Sequence, residues 1–188
     1  MVTDICIIEE KSYRIFDMFY KEWALVTAGN MQAFNSCTVG WGSFGTLWST
    51  PKLNRHTITV YLYPTRYTCD FFRESETFTV SFFPKEYKKA LAIMGSKSGR
   101  DCDKVKEAGL TPKPIGQSVT YEEADLTFLC RKLYQHQMTK EDIAPDIQEQ
   151  YANTPEGYPV DENGDWHPHW IFIGEIIDVI DKRKGSAT

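Results

Sequence analysis

Positive charge is the first thing this sequence is short of. Lys and Arg total 21 against 26 Asp and Glu, a formal net charge of -5, whereas a chain that grips nucleic acid needs a basic face to neutralise phosphates. That balance argues against a nucleic-acid partner. Long apolar runs are missing too, with none approaching the ~18 residues of a membrane span. The opening stretch MVTDICIIEEKSYRIF has neither the basic flank nor the apolar run of a secretion signal. The expectation is a cytoplasmic protein with no membrane partner. Cysteine is present but unpatterned: Cys6, Cys37, Cys69, Cys102 and Cys130 are odd in number and form no C-x-x-C. They fit reduced thiols better than a disulfide framework or a zinc site. No internal repeat and no linker divides the 188 residues, 41% of them hydrophobic, so residues 1–188 read as one domain with one substantial core.

A second absence settles a motif. Gly40, Gly42 and Gly45 spell G-x-G-x-x-G within NSCTVGWGSFGTLWSTP, the pattern of a dinucleotide-binding turn. That turn needs a helix after the glycines and an acid about 20 residues further on. Here Thr46-Leu47-Trp48-Ser49-Thr50-Pro51 follows, with Thr50 pushed toward extended geometry by Pro51, and residues 58–63 contain no acid. These glycines are instead spacing residues on a strand, where a ligand or a second backbone can approach closely.

What the chain does contain is strand signal. Residues 23–28 read as a strand stopped by Gly29-Asn30, and residues 35–44 as a second extended run. Ile58, Val60 and Leu62 alternate with Thr59, Tyr61 and Tyr63 up to Pro64, and residues 78–83 form another strand ended by Pro84. Residues 126–134 and 170–180 are late strands rich in β-branched and aromatic side chains. Between the early strands, residues 65–75 predict a short helix with Thr65 as a possible N-cap, and residues 86–94 and 101–108 predict two more. Residues 139–168 carry four prolines and many acids with little periodicity. They read as a long surface excursion, disordered or packed on a partner subunit, that adds little to the core. Many short strands with a few small helices predict a mainly β protein built on a closed barrel. The 14% aromatic content suits a β core or a flat, π-bearing ligand.

Three polar clusters sit at strand ends or strand–helix junctions. Asn35, Ser36, Cys37 and Thr38 lie on the Gly-rich strand, where they either line a ligand or merely close a turn. Arg66 and Thr68 stand at a helix start, where free N–H groups and the helix dipole favour an anion and an Arg adds a phosphate-shaped donor. The alternative for Arg66 is an ion pair with Asp70 or Glu74. Ser96-Lys97-Ser98-Gly99-Arg100 places two cations among hydroxyls before a helix, either at an anion or as a solvated connector. Two phosphate-suited clusters beside a glycine-lined strand point jointly to a phosphorylated flat ligand. His167-Pro168-His169 is a poor metal pair, having no Cys or carboxylate at suitable spacing, so no metal is expected. His169 either orients a substrate and supplies a proton near neutrality or plays a structural part.

The order AFNSCTVGWGSFGTLWSTP, YPTRYT, GSKSGRDCDK and HWIFIGEI resembles the flavin reductase-like family of FMN-binding split barrels, the flavoredoxin relatives. The resemblance implies a Greek-key split β-barrel of six strands with a few short helices, dimeric, with FMN at the subunit interface. It implies that Asn35, Ser36, Cys37 and Thr38 line the isoalloxazine edge, with Trp41 and Gly42 nearby. Arg66 and Thr68 would hold the phosphate, helped by Ser98, Arg100 and Lys104, and His169 matches a histidine the family often places before its last strand. The implied activity is reduction of bound FMN by NADH or NADPH, with electrons passing to a small-molecule or protein acceptor. A flavoredoxin-type electron carrier is the alternative. Cys37 stands where a larger residue such as Met is common, and the 139–168 excursion is longer than the family pattern, so it reads as a lid, a dimer arm or a partner site.

Overall fold

The structure, a computed structural model, describes residues 13–183; Cys6 lies outside the described residues. Nine strands are found among them. β1 (Ala24–Asn30) and β2 (Ala33–Val39) form a hairpin. Its turn is tied by Asn30, whose Oδ1 accepts from the backbone N–H groups of Gln32 and Ala33 at 3.0 and 3.2 Å, the local bonding that favours Asn in turns. Then come β3 (Gly42–Thr46), β4 (His56–Leu62), β5 (Thr77–Phe82), β6 (Pro112–Ile115), β7 (Ser118–Tyr121), β8 (Leu126–Gln137) and β9 (Trp170–Asp181). Seven strands make one antiparallel sheet in the order β2-β1-β5-β8-β9-β4-β3, while β6 and β7 pair separately. Register shifts along β8 and β9 mark bulges, which let two long strands bend.

Period-two alternation sends one face of each strand into a common core. Val26 and Cys37, Val80 and Phe128, and Val60 and Phe172 are cross-strand partners, and all six are buried in one cluster with Phe72 and Phe78. Phe72, Phe78, Phe128 and Phe172 are among the largest fully buried side chains, each contributing about 1.5–3 kcal/mol of transfer free energy. Phe72 comes from α1 (Tyr67–Glu74), which buries Thr68, Cys69 and Phe72 along one side. Two further helices, α2 (Lys88–Ser96) and α3 (Lys104–Ala108), cover the opposite face of β1 and β2. The third starts late because Asp103 caps it, accepting from the Lys106 N–H at 3.1 Å.

Four expectations are revised. The extended run 35–44 breaks at Gly40-Trp41, where the chain leaves β2 and turns to pair with β4, so the sheet has seven strands and not six. Of the G-x-G-x-x-G glycines, Gly42 serves packing: a Cβ on it would sit 2.3 Å from the Phe19 ring, which fills that space from a π-helical turn at Met18–Glu22. Thr65 does not cap α1; Arg66 occupies the N-cap position and no side-chain cap bond forms. The β6–β7 hairpin was hidden by Pro112 and Pro114, residues that read as strand breakers.

The 139–168 excursion is structured. It carries a helical turn, Lys140–Asp142, and α4 (Pro145–Ala152). Tyr151 and Trp166 from the excursion and Tyr63 from the end of β4 form a buried cluster of their own, distinct from the barrel core, with Ile143 and Tyr158 packed against it. Tyr151 stacks on Trp166 and on Tyr158, with ring centroids 4.6 and 4.2 Å apart.

Candidate functional site

The sheet ends at β2, which pairs with β1 alone. Its outer backbone groups therefore have no strand partner in the sheet. Alternation divides its side chains. Asn35 and Cys37 face α1, and the Asn35 Oδ1 accepts from the Thr68 hydroxyl at 2.7 Å. Ser36 and Thr38 face the other way. The Ser36 hydroxyl is fully buried between the Thr27 and Tyr121 hydroxyls, at 2.7 and 2.6 Å, and the Thr38 hydroxyl donates to the Leu91 carbonyl at 2.6 Å.

Beside this edge lies a cleft of about 420 Å³, walled by Arg66, Thr68, Lys97, Ser98 and Lys104, with exposed Glu156 on its rim. It adjoins a chamber of about 290 Å³ bounded by Trp41, Tyr158 and His169; Cys37, Tyr63, Arg66 and Gly157 line both. The loop between α2 and α3 closes the cleft from above by coming very near β2. A Cβ on Gly99 would fall 2.1 Å from the Asn35 Nδ2, so any side chain here forces either the loop or the Asn35 amide to shift.

The cations of the site differ in how they are held. Lys97 pairs with Glu107. Arg100 pairs with Asp70 at 2.5 Å, donates to the Thr65 carbonyl at 3.2 Å and lies over the Tyr67 ring, so its charge is met by α1. Arg66 is exposed and donates to the Gly95 carbonyl at 2.6 Å; neither Asp70 nor Glu74 pairs with it. Lys104 is the unusual one. It is 4% exposed, and its Nζ reaches only the Met94 and Lys97 carbonyls, at 3.4 and 3.2 Å. Among the described residues no carboxylate pairs with it. Burial, and secondarily the nearby Arg66 charge, lower its pKa.

The chamber side is apolar and aromatic. His169 is buried, lies against Trp41 with centroids 4.5 Å apart, and makes a 2.6 Å hydrogen bond through Nδ1 to the Tyr151 hydroxyl. Burial, helped by the Arg66 charge, brings its pKa down to about 4, so it is neutral near pH 7 and the expected role as a proton source near neutrality has no support here. His167 points elsewhere, its Nε2 2.9 Å from Asp161 Oδ2. The Cys37 thiol is pushed up by burial and is hence protonated, with Lys104 and Arg66 pulling the other way.

Of the residues singled out from sequence, the structure gathers Cys37, Arg66, Thr68, Ser98 and Lys104 around one cleft, sets Asn35 behind it on the Thr68 hydroxyl, and places Thr38, Trp41 and His169 at the adjoining chamber. Ser36 is turned away, Gly42 packs on Phe19, and Arg100 is committed to Asp70. Tyr63, Tyr151 and Tyr158 were missed. Tyr63 ends the β4 alternation directly before the Arg66 segment and was legible from that; Tyr151 and Tyr158 lie in a stretch without periodicity.

A bent antiparallel sheet with an open edge, beside a cationic cleft and an aromatic chamber, defines a split barrel with a site for a flat, anionic ligand. The chain belongs to the flavin reductase like domain family, whose model matches residues 17–187. No curated protein sequence matches at a significant level. Among solved structures, the chain is similar to an FMN-binding protein from Thermus thermophilus with bound 1-cyclohex-2-enone (TM-score 0.61, 19% identity, covering 92% of this chain and 80% of that one). It is also similar to a flavoredoxin from Methanosarcina acetivorans (TM-score 0.59, 18% identity, 92% and 75%). A third likeness is to a putative flavin reductase with a split barrel domain from Shewanella frigidimarina (TM-score 0.60, 14% identity, 100% and 83%). At these identities the likeness is one of fold.

Proposed function

We propose that this chain binds FMN and acts as an oxidoreductase of the flavin reductase type, taking electrons from NADH or NADPH and passing them to a small-molecule or protein acceptor. The observation that carries the reading is Lys104. A buried ammonium without a carboxylate is costly, and here it borders a cleft whose other wall is the Arg66 guanidinium and the first turn of α1. An anion at that place offsets the cost, gains the dipole and the unpaired N–H groups of the helix start, and keeps the barrel's most awkward charge satisfied.

The remaining features fit the rest of the molecule. Lys104, Arg66, Ser98 and the Thr68 backbone would hold the phosphate. The unpartnered edge of β2 around Cys37 would meet the donor and acceptor edge of the ring, and Trp41, Tyr63 and Tyr158 offer it aromatic surface. FMN, when bound, supplies the redox chemistry itself, so the protein's task is to bind, orient and exclude water. The excursion contributes to that task by laying Gly157 and Tyr158 over the join between cleft and chamber. This cover favours a retained FMN, which suits a flavoredoxin-type carrier as well as a reductase; steady-state oxidation of NADH or NADPH by the holoprotein separates the two.

A homodimer and a cytoplasmic setting belong to the same reading. Phe16 and Tyr20 are 91% and 78% exposed, and they border an apolar groove with Trp41, Phe44 and Tyr61 of the kind that a second copy covers. Among the described residues Cys37, Cys69, Cys102 and Cys130 are free thiols, and no helix is long and apolar enough to cross a membrane.

Arg66→Ala tests the phosphate reading. Because Arg66 is exposed and already serves the Gly95 carbonyl, its contact lies at the low end for a charged hydrogen bond, about 1.5 kcal/mol. FMN affinity should fall about tenfold. Riboflavin, which has the ring without the phosphate, should bind unchanged, and Arg66→Lys should recover part of the loss. Equal losses for FMN and riboflavin would mean that Arg66 shapes the barrel and does not read a phosphate.

A further inference from the structure

The hydrogen bond between Tyr151 and His169 fixes which nitrogen of the imidazole carries its proton. Tyr151 is 3% exposed, and the single hydrogen bond of its hydroxyl to a side chain is the one to Nδ1. If Nδ1 carried the proton and donated it, the phenol proton would be buried with no acceptor, at the full desolvation cost of an unpaired donor. The reverse arrangement satisfies both groups. The phenol donates to an unprotonated Nδ1, and its oxygen is left to face the His169 backbone N–H, which pulls against the burial that pushes the phenol pKa to about 12. A neutral imidazole has one ring proton, so it sits on Nε2. That nitrogen has no partner among the described residues and is not a sealed, unsatisfied atom; the ring's remaining exposure opens to the chamber that His169 lines with Trp41, Tyr63 and Tyr158.

We propose that Tyr151 is a positioning residue that holds His169 as the neutral Nε2–H tautomer, and that this N–H is a hydrogen-bond donor to a carbonyl on a flat ring in the aromatic chamber. The ring's identity rests on the FMN reading of the adjoining cleft: the carbonyl belongs either to the flavin's own pyrimidine edge or to the ring of a second substrate, such as a nicotinamide carboxamide. The tautomer does not rest on that reading. The excursion thereby contributes chemistry to the site as well as covering it, because Tyr151 belongs to α4.

The test begins on the apoprotein. Long-range ¹⁵N–¹H spectra of histidine-labelled protein at pH 7 should show His169 with a protonated Nε2 and a bare Nδ1, and Tyr151→Phe, which keeps the aromatic stack, should convert that resonance pair to a mixture of tautomers. A wild-type His169 protonated on Nδ1 overturns the assignment, whether or not flavin binds. Riboflavin affinity and the KM of the nicotinamide donor at saturating FMN then locate the carbonyl. A three- to tenfold loss of riboflavin affinity in Tyr151→Phe assigns it to the flavin. An unchanged riboflavin affinity with a KM raised by the same factor assigns it to the second substrate. Neither value moving overturns the donor role. His169→Gln, whose amide can still donate, should retain more of the affected quantity than His169→Leu, and this pair decides the matter should Tyr151→Phe fold poorly. Equal losses in the two would contradict the proposal.

Discussion

Methionine in place of Lys104 should leave the apoprotein at least as stable as the parent while cutting FMN affinity by about a hundredfold. The two effects come from one cause. In the apoprotein the ammonium is buried with two long hydrogen bonds to carbonyls and no carboxylate. Replacing a buried charge by an apolar group of similar length removes a desolvation penalty of up to several kcal/mol. The lost carbonyl bonds take back part of that gain, so the net expectation is a denaturation midpoint that is unchanged or raised. With FMN present the balance reverses. A buried, water-excluded cation on a phosphate lies at the strong end of charged hydrogen bonding, about 3 kcal/mol, which is about a hundredfold in affinity. Riboflavin should bind both proteins alike. A Lys104→Met protein that loses stability and loses FMN and riboflavin equally would show that the lysine holds the α2–α3 loop in place and has no part in reading phosphate.

The second large effect is acid lability through His169. Its folded-state pKa of about 4, against 6.5 for the free side chain, means that the unfolded chain takes up a proton in a range where the folded chain does not. The stabilisation is therefore complete above pH 6.5 and is lost as pH falls from 6.5 toward 4. That span corresponds to an upper limit of about 3 kcal/mol. The groups facing the imidazole do not blur this window. Tyr63 and Tyr151 are phenols, both pushed further upward by burial. Asp161, drawn down to about 2 by the Asp165 backbone N–H and by His167, acts at lower pH. Urea midpoints measured between pH 7 and 4 should fall steadily in the parent and stay nearly flat over that interval in His169→Gln, which has no proton to gain. Parallel slopes in the two proteins would place the acid sensitivity elsewhere.

Much of this architecture was readable before the structure. The β4 alternation Ile58, Val60, Leu62 announces itself by period, the β4 and β5 runs by the prolines that end them, and the runs that became β8 and β9 by their β-branched and aromatic content. The helix start after Pro64 put Arg66 and Thr68 together at a place with chemical meaning. What escaped has a common physical origin in tertiary contact. The same period-two rule that marked β2 also separates Asn35 and Cys37 from Ser36 and Thr38, but which pair meets the cleft depends on where α1 and α2 pack. Lys104 looks in the sequence like any surface cation; it is buried in the fold, with its Nζ on the Met94 and Lys97 carbonyls. Tyr151, Tyr158 and Trp166 have no shared spacing, since their order comes from converging on Tyr63, a residue far away in the chain. Local pattern carried the barrel, and long-range packing carried the cover over its site.

The central claim is that the cleft reads a phosphate attached to a flat ring. It is tested most directly by equilibrium titration of the apoprotein with FMN and with riboflavin under the same conditions, followed by the visible absorption and fluorescence of the flavin. With Lys104 and Arg66 both engaged, FMN should bind at least a hundredfold more tightly than riboflavin, on the scale of about 1.5–3 kcal/mol for each charged contact. Equal affinities for the two, or no change in either flavin's spectrum, would contradict it.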